Sequence, residues 1–437
     1  MRQAILFILA LLMVSAIACQ GDDDSESSPG QAQDDDDNND NNDNDDDASP
    51  RSFYLTAMGY QYKFSPYSIE DDLDFSGLEG KLDLASLQME FFGIPWTEFA
   101  AGEEPPPLWV EKMAGYRQQA DDLGVGIFLS VTPLSGMRDG LSKIAYEQDG
   151  ELMIEDYPTP GCYDFAAGPN AATIRQAYLA YVRWMADFFL PDYLAIAIEL
   201  NMYDWNCPDQ YAATLALLND VYDQEKAAAP DRPVFQTYVM ELMWGYEEGG
   251  SCALGDASCL HENLDKIADL RRDRFGVSIY PFIMQYALDE LPDDIFSAVT
   301  AATGDRIVFG ETGYPNKLIT FPYPDYDSEC LTLFDYGDAD QIHYLEYLFD
   351  QAQQLDSDLV CWWSLRDFLP SAVQGHCPCD ADGLWCILYE AVWETDLLPA
   401  WLGWGAMGML DFAWQPKSAL ATWNAWLARP VAPASGD

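Results

Sequence analysis

Basic residues are scarce in this chain: 21 lysines and arginines stand against 74 aspartates and glutamates, a formal net charge of −53. Such a surface repels polyanions, which excludes nucleic acid, anionic lipid and polyanionic substrates as partners and leaves a neutral one. Histidine is scarcer still; His261, His343 and His376 are all there is, and none falls at the end of an expected strand. No glycine-rich turn opens the first βα segment, which argues against a doubly wound dinucleotide-binding sheet. No apolar run is long enough to span a bilayer as a helix. The acidic stretch near the N-terminus lacks the ligand offsets around a glycine that a calcium loop needs. Neither a metal nor a cofactor is expected.

What is present begins with an export signal. Met1-Arg2 is a short basic region, Ala4–Val14 is apolar, and small residues lead to Cys19. Ala16-Ile17-Ala18-Cys19 resembles the lipobox of bacterial lipoproteins, with Ala16 where Leu is usual. That resemblance implies cleavage before Cys19 and its lipidation, and Gln20 is compatible with sorting to the outer membrane. Plain secretion is the alternative. Residues 20–50 are rich in Asp and Asn and lack large apolar side chains, so they should form a solvated, self-repelling tether. The first 50 residues hold thirteen acids and one arginine, which leaves about −41 for the rest. The expected organisation is a signal over 1–19, a linker over 20–50 and one domain over 51–437, monomeric and touching the membrane only through the lipid on Cys19.

Export makes disulfides the default reading of the ten cysteines. Cys361 lies inside an apolar run and should be buried and free. Eight others (Cys162, Cys207, Cys252, Cys259, Cys330, Cys377, Cys379 and Cys386) lie in loop-like stretches; Cys252–Cys259 is the most local pairing. Zinc at His376-Cys377-Pro378-Cys379 with Cys386 is disfavoured by the spacing.

From Arg51 onward, short apolar runs alternate with helical periodicity, the signature of a parallel α/β fold. Eight strands are expected: 53–59, 84–91, 125–131, 193–199, 234–239, 275–280, 307–311 and 359–364. Helices are expected after the triple proline at 105–107, after Asn170 and Asp209 as caps, and over 259–270, 293–303, 340–355 and 417–427. Only the crossover from Tyr60 to Asp83 lacks a clear helix. One (β/α)8 TIM barrel with long loops at the C-terminal face of the strands follows.

In a barrel the strand C-termini converge, so the residues ending each strand carry the information. Ile307-Val308-Phe309-Gly310-Glu311 and Ala195-Ile196-Ala197-Ile198-Glu199 each end an apolar run on a glutamate, three strands apart. Asn201 should point to the side of Glu199 if the chain stays extended. Tyr280, one strand before Glu311, could donate to that carboxylate. Trp362 or Trp363 on the last strand should face the mouth. Trp96, Trp205 and Trp244 fall in loops after the second, fourth and fifth strands, where flat indole faces suit sugar rings.

These residues resemble clan A glycoside hydrolases, and most nearly the family 53 endo-β-1,4-galactanases. The likeness rests on Val277-Ser278-Ile279-Tyr280-Pro281-Phe282, on Gly310-Glu311-Thr312-Gly313-Tyr314-Pro315, and loosely on Gly408-Met409-Leu410-Asp411 with Pro416-Lys417. It implies that Glu311 is the nucleophile, Glu199 the acid/base, and Tyr280 the nucleophile's partner. It also implies a retaining enzyme that cleaves a neutral β-linked polysaccharide such as galactan. Two departures stand out. Ile198 occupies the position before the acid/base where the clan has Asn, and no arginine is evident near the early strands. A mannanase or glucanase of the same clan, or a non-catalytic glycan-binding lipoprotein on the same barrel, are the other readings. The enzyme requires Glu199 and Glu311 to meet at one rim, with neither of them buried against a basic partner.

Overall fold

The computed structural model describes residues 49–64, 69–159, 161–245, 252, 255–284, 288, 291–322, 330–367 and 403–432. The expected signal, the lipidated Cys19, nearly all of the linker, His376 and the pairing of Cys330, Cys377, Cys379 and Cys386 lie outside them.

Fourteen strands in chain order are β1 (Tyr54–Met58), β2 (Tyr60–Phe64), β3 (Ile69–Leu73), β4 (Leu84–Gln88), β5 (Gly126–Ser130), β6 (Ile144–Gln148), β7 (Glu151–Glu155), β8 (Tyr193–Ala195), β9 (Val234–Val239), β10 (Phe275–Ile279), β11 (Ile307–Thr312), β12 (Leu318–Pro322), β13 (Cys330–Asp335) and β14 (Leu359–Trp362). Eight of them close a barrel in the order β1-β4-β5-β8-β9-β10-β11-β14, and every neighbouring pair is parallel. The chain is a (β/α)8 barrel, as the alternation of runs and periodicity requires. Buried apolar runs form these strands because helices cover the outside and side chains fill the inside. Leu84, Phe128, Ala195, Phe235, Val308, Leu359 and Cys361 make the inner cluster; the larger cluster lies between strands and helices.

Three antiparallel hairpins, β2–β3, β6–β7 and β12–β13, stand in the loops after β1, β5 and β11. The first occupies the crossover that showed no helical period. The second turns at Asp149 and Gly150, both at positive φ, the chemistry of a tight two-residue hairpin.

The helices fall where periodicity puts them, with corrected ends. Pro107–Leu123 follows the triple proline. Asn170 precedes helix Ala171–Phe189, but at φ 57° and with no side-chain capping bond. Asp209 lies in the first turn of Pro208–Ala228, behind Cys207, because Pro208 suits that first position. The later ones span Ala257–Lys266, Ser297–Thr303, Asp338–Gln354 and Ala419–Leu427. Disulfides join Cys162 to Cys207 and Cys252 to Cys259, and Cys361 is free and buried.

Candidate active site

Glu311 reaches the barrel mouth through a slip in register. Val277 pairs with Phe309, but the next residue, Ser278, pairs with Glu311. Gly310 is the extra residue of this bulge, and one extra residue reverses which side the following side chains take. Val308 fills the barrel interior, and the bulge turns Glu311 inward as well. Its Oε1 accepts the Tyr280 hydroxyl at 2.6 Å and its Oε2 accepts Gln88 Nε2 at 3.3 Å. The expected bond from Tyr280 is therefore present.

Glu199 arrives differently from the expectation of a continuous strand. β8 ends at Ala195, and Glu199 adopts φ 50°, ψ 46° before helix Leu200–Asn206. A non-glycine residue in this left-handed region costs on the order of 1–3 kcal/mol and persists only where its surroundings hold it. They do so here. Its N–H donates to Thr237 Oγ1 at 2.9 Å, and the carbonyl of Ile198 just before it accepts Arg138 Nε at 2.9 Å. Its carboxylate accepts Ser278 Oγ at 2.8 Å on Oε1 and Arg138 Nη2 at 3.2 Å on Oε2.

Ser278 thus ties the two glutamates together. Its backbone is in register with Glu311 while its hydroxyl meets Glu199. Both sit at the C-terminal rim; Glu199 does have a basic partner, but its side chain keeps 17% exposure, so it is paired without being fully buried. Arg138 comes from the loop after β5, eight residues beyond the strand end, so no strand register could reveal it. It is 2% exposed and also meets Glu90 Oε2 at 2.6 Å and the carbonyls of Ser135 and Gly136. Glu90 lies two residues past β4, near the end of the expected strand 84–91, and was not singled out there.

Two carboxyl groups, Glu90 and Glu199, therefore pair with one guanidinium, and the charge of Glu311 also acts on it. Burial pushes Glu311 well above the ordinary carboxylate range, and the charges of Glu199 and Glu90 push the same way; the Tyr280 bond and Arg138 oppose them. Burial likewise raises Glu90 against the pull of Arg138. Burial alone would lower Arg138, but the charges of Glu90, Glu199 and Glu311 outweigh it and hold the guanidinium protonated. A fourth carboxyl, Glu241, accepts the Tyr280 N–H at 3.1 Å, and burial pushes it up to about 7.

The other expected site residues scatter. Asn201 lies in a helix rather than an extended chain, and its side chain bonds both backbone groups of Val239. Trp96, Trp244 and Trp362 are packed in the core, each donating its indole N–H to a backbone carbonyl: Ser142, Ile295 and Met407. A buried indole satisfies itself this way, and these three offer no face to a ligand. Trp363 does belong to the mouth. Its ring centre lies 4.8 Å from Tyr60 and 6.0 Å from Trp404, which in turn lies 5.7 Å from Tyr280. Trp404, missed in the sequence, has a buried Nε1 with no hydrogen-bond partner among the described residues. Trp205 sits apart, half exposed on the rim.

No protein-family profile matches the chain, and no curated protein matches its sequence. Among solved structures it is similar to a calcium-binding mutant of Bacteroides uniformis beta-glucuronidase 2, at 12% identity over 86% of this chain and 34% of that one, TM-score 0.46. It is similar to an exo-beta-1,4-mannosidase from an Opitutaceae bacterium, at 11% identity over 80% and 53%, TM-score 0.46. It is also similar to GH10 from Paenibacillus barcinonensis, at 12% identity over 88% and 97%, TM-score 0.45. The chain spans about a third and about half of the first two proteins. Likeness at this level carries no argument about chemistry; the closed parallel strand order establishes the barrel.

Proposed function

We propose that this chain is a retaining glycoside hydrolase acting on a neutral β-linked polysaccharide, with β-1,4-galactan the first candidate. The observation that carries the reading is the linkage of Glu199 and Glu311 through Ser278 at the barrel mouth. Two carboxyl groups at one mouth are what acetal cleavage requires: one donates a proton to the leaving oxygen while the other attacks the anomeric carbon. In this reading Glu311 is the nucleophile, oriented by Tyr280 and Gln88. Glu199 protonates the leaving oxygen, then deprotonates the water that releases the sugar. The Ser278 hydroxyl can turn to accept the proton that Glu199 carries on Oε1. The surplus of negative charge favours an uncharged glycan.

One observation favours exchanged roles. Glu199 is ion-paired to Arg138, whereas burial favours a protonated Glu311. Trapping with a 2-deoxy-2-fluoro glycoside, followed by peptide mass mapping, decides. A sugar on Glu311 supports the assignment, and a sugar on Glu199 exchanges it. Release of the inverted anomer without an adduct replaces retention by inversion. No release of reducing ends from galactan, mannan or glucan leaves the non-catalytic glycan-binding reading.

We also propose export and lipid anchoring at Cys19. Loss of labelled palmitate incorporation in Cys19→Ser, with incorporation in the wild type, supports this.

A further inference from the structure

We propose that the cleft beside Trp205 binds one neutral sugar ring on the leaving-group side of Glu199; the inference rests on the hydrolase reading. Trp205 is 48% exposed, while Trp96, Trp109, Trp244, Trp362 and Trp423 are each buried to within 2%. An indole left half in water on a rigid support is a ready platform for an apolar sugar face. The support is rigid on both sides. Two residues beyond Trp205, Cys207 is bonded to Cys162, and the opposite wall, helix Ala257–Lys266, carries the Cys252–Cys259 bond. Asn263 fastens that wall by donating to the carbonyls of Leu242 and Met243.

The cleft has a volume of about 160 Å³, with Pro208 and Leu242 completing its sides. That is below the 300–1,000 Å³ of sites that enclose a whole ligand, and it suits a single ring lying flat. Asp204 and Lys266 pair at 2.6 Å in its lining. Together they offer hydroxyl groups an acceptor and donors with no net charge, which fits a neutral ligand better than an ion.

Its place relative to Glu199 follows from helix Leu200–Asn206, which begins directly after that residue. Trp205 is six residues on, about 9 Å along the axis at 1.5 Å per residue. Asn201 and Trp205 share a helix face, and Asn201 is bonded to Val239 at the end of β9, which turns that face toward the barrel rim. Asn206 Nδ2 donates to the carbonyls of Met137 at 2.9 Å and Arg138 at 3.3 Å. The Trp205 turn is therefore pinned to the residue that holds Glu199. Sugars beyond the oxygen that Glu199 protonates belong to the leaving group, and they would run toward this cleft.

The test uses the full chain as wild type, W205A and W205F. The first readout is retardation in native gels containing soluble β-1,4-galactan, β-1,4-mannan or β-glucan. W205A should lose about tenfold in affinity for at least one glycan, and W205F should keep most of it. Identical migration of wild type and W205A in all three gels, retarded or not, overturns the proposal. The second readout uses whichever glycan the wild type hydrolyses. KM for its oligosaccharide should rise about tenfold in W205A, whereas the matching glycosyl fluoride, whose leaving group is a single atom, should lose far less; equal losses on both overturn the leaving-group placement. Trp205-dependent retardation without hydrolysis by the wild type would keep the binding cleft, sink the hydrolase reading, and take the leaving-group placement with it.

Discussion

A Cβ built on Gly310 would lie 2.8 Å from Thr237 Cγ2, while the hydroxyl of the same threonine accepts the backbone N–H of Glu199. Thr237 therefore touches both segments that carry the glutamates, and the bulge at Gly310 has room only for hydrogen. Gly310→Ala should push β11 or Thr237 aside at a cost of roughly 1–3 kcal/mol. Misplacing Glu311 should lower kcat by about 10²-fold. Steady-state kinetics beside a denaturant titration check this; an unchanged kcat contradicts it.

Tyr280 holds Glu311 toward its charged form, against burial. In Tyr280→Phe the bond is gone and Glu311 rises further, so the carboxylate becomes scarcer at any given pH. The acidic limb of the kcat/KM profile should move to higher pH. A hydrogen bond to a charged group is worth about 1.5–3 kcal/mol, so activity near neutral pH should fall roughly 10–150-fold. A pH–rate profile that superimposes on the wild type refutes the link.

Arg138 sits between Glu90 and Glu199 with almost no exposure. Arg138→Met would leave Glu90 and the partly exposed Glu199 without their cation; breaking a fully buried pair costs about 3–5 kcal/mol, so the loss should lie at or below the lower end of that range. Arg138→Lys should recover only part of that, because an ammonium lacks the fork that reaches both carboxylates and the Ile198 carbonyl. Chemical denaturation of the three proteins at one pH measures the loss.

Glu241 supplies a pH signature. Burial raises it from 4.5 to about 7 in the folded chain, so the folded state binds more protons than the unfolded state between those values. Its share of stability is fully present below about 4.5 and is lost as pH rises through about 7. At about 1.4 kcal/mol per unit, the full loss is about 3–4 kcal/mol. Glu241→Gln removes the titration, so its stability relative to the wild type should improve on going from pH 5 to pH 8. Melting curves at the two pH values report it; a constant difference argues against a raised Glu241.

Much of the barrel was legible because its strands are buried on both faces and read as unbroken apolar runs, from Leu84 to Leu359. Glu311 was legible for a related reason: Gly310 marks where backbone must pass closely, and the acid follows at once. Glu199 was legible as a residue but not as a conformation, since nothing in Ile198-Glu199-Leu200 announces a positive φ without glycine. Arg138 lies in a loop, where no period relates a side chain to the barrel mouth; Glu90 fell near the end of the expected strand 84–91 but was not singled out, and the strand in fact stops at Gln88. The tryptophans misled because sequence position cannot separate an indole that donates to a carbonyl inside, as Trp244 does, from one left in water, as Trp205 is. The β6–β7 hairpin falls between the third and fourth expected strands, where no expectation named it, although Asp149-Gly150 is the residue pair such a turn favours.

Glu311 is the carboxyl without which no glycan should be cleaved, whichever of the two catalytic roles it takes. Reducing-end release from galactan, mannan and glucan by the wild type and by Glu311→Gln, with glycan retardation measured on both, tests it most directly. The predicted result is release from at least one glycan by the wild type, and none by Glu311→Gln with binding retained. Undiminished release by Glu311→Gln would contradict it.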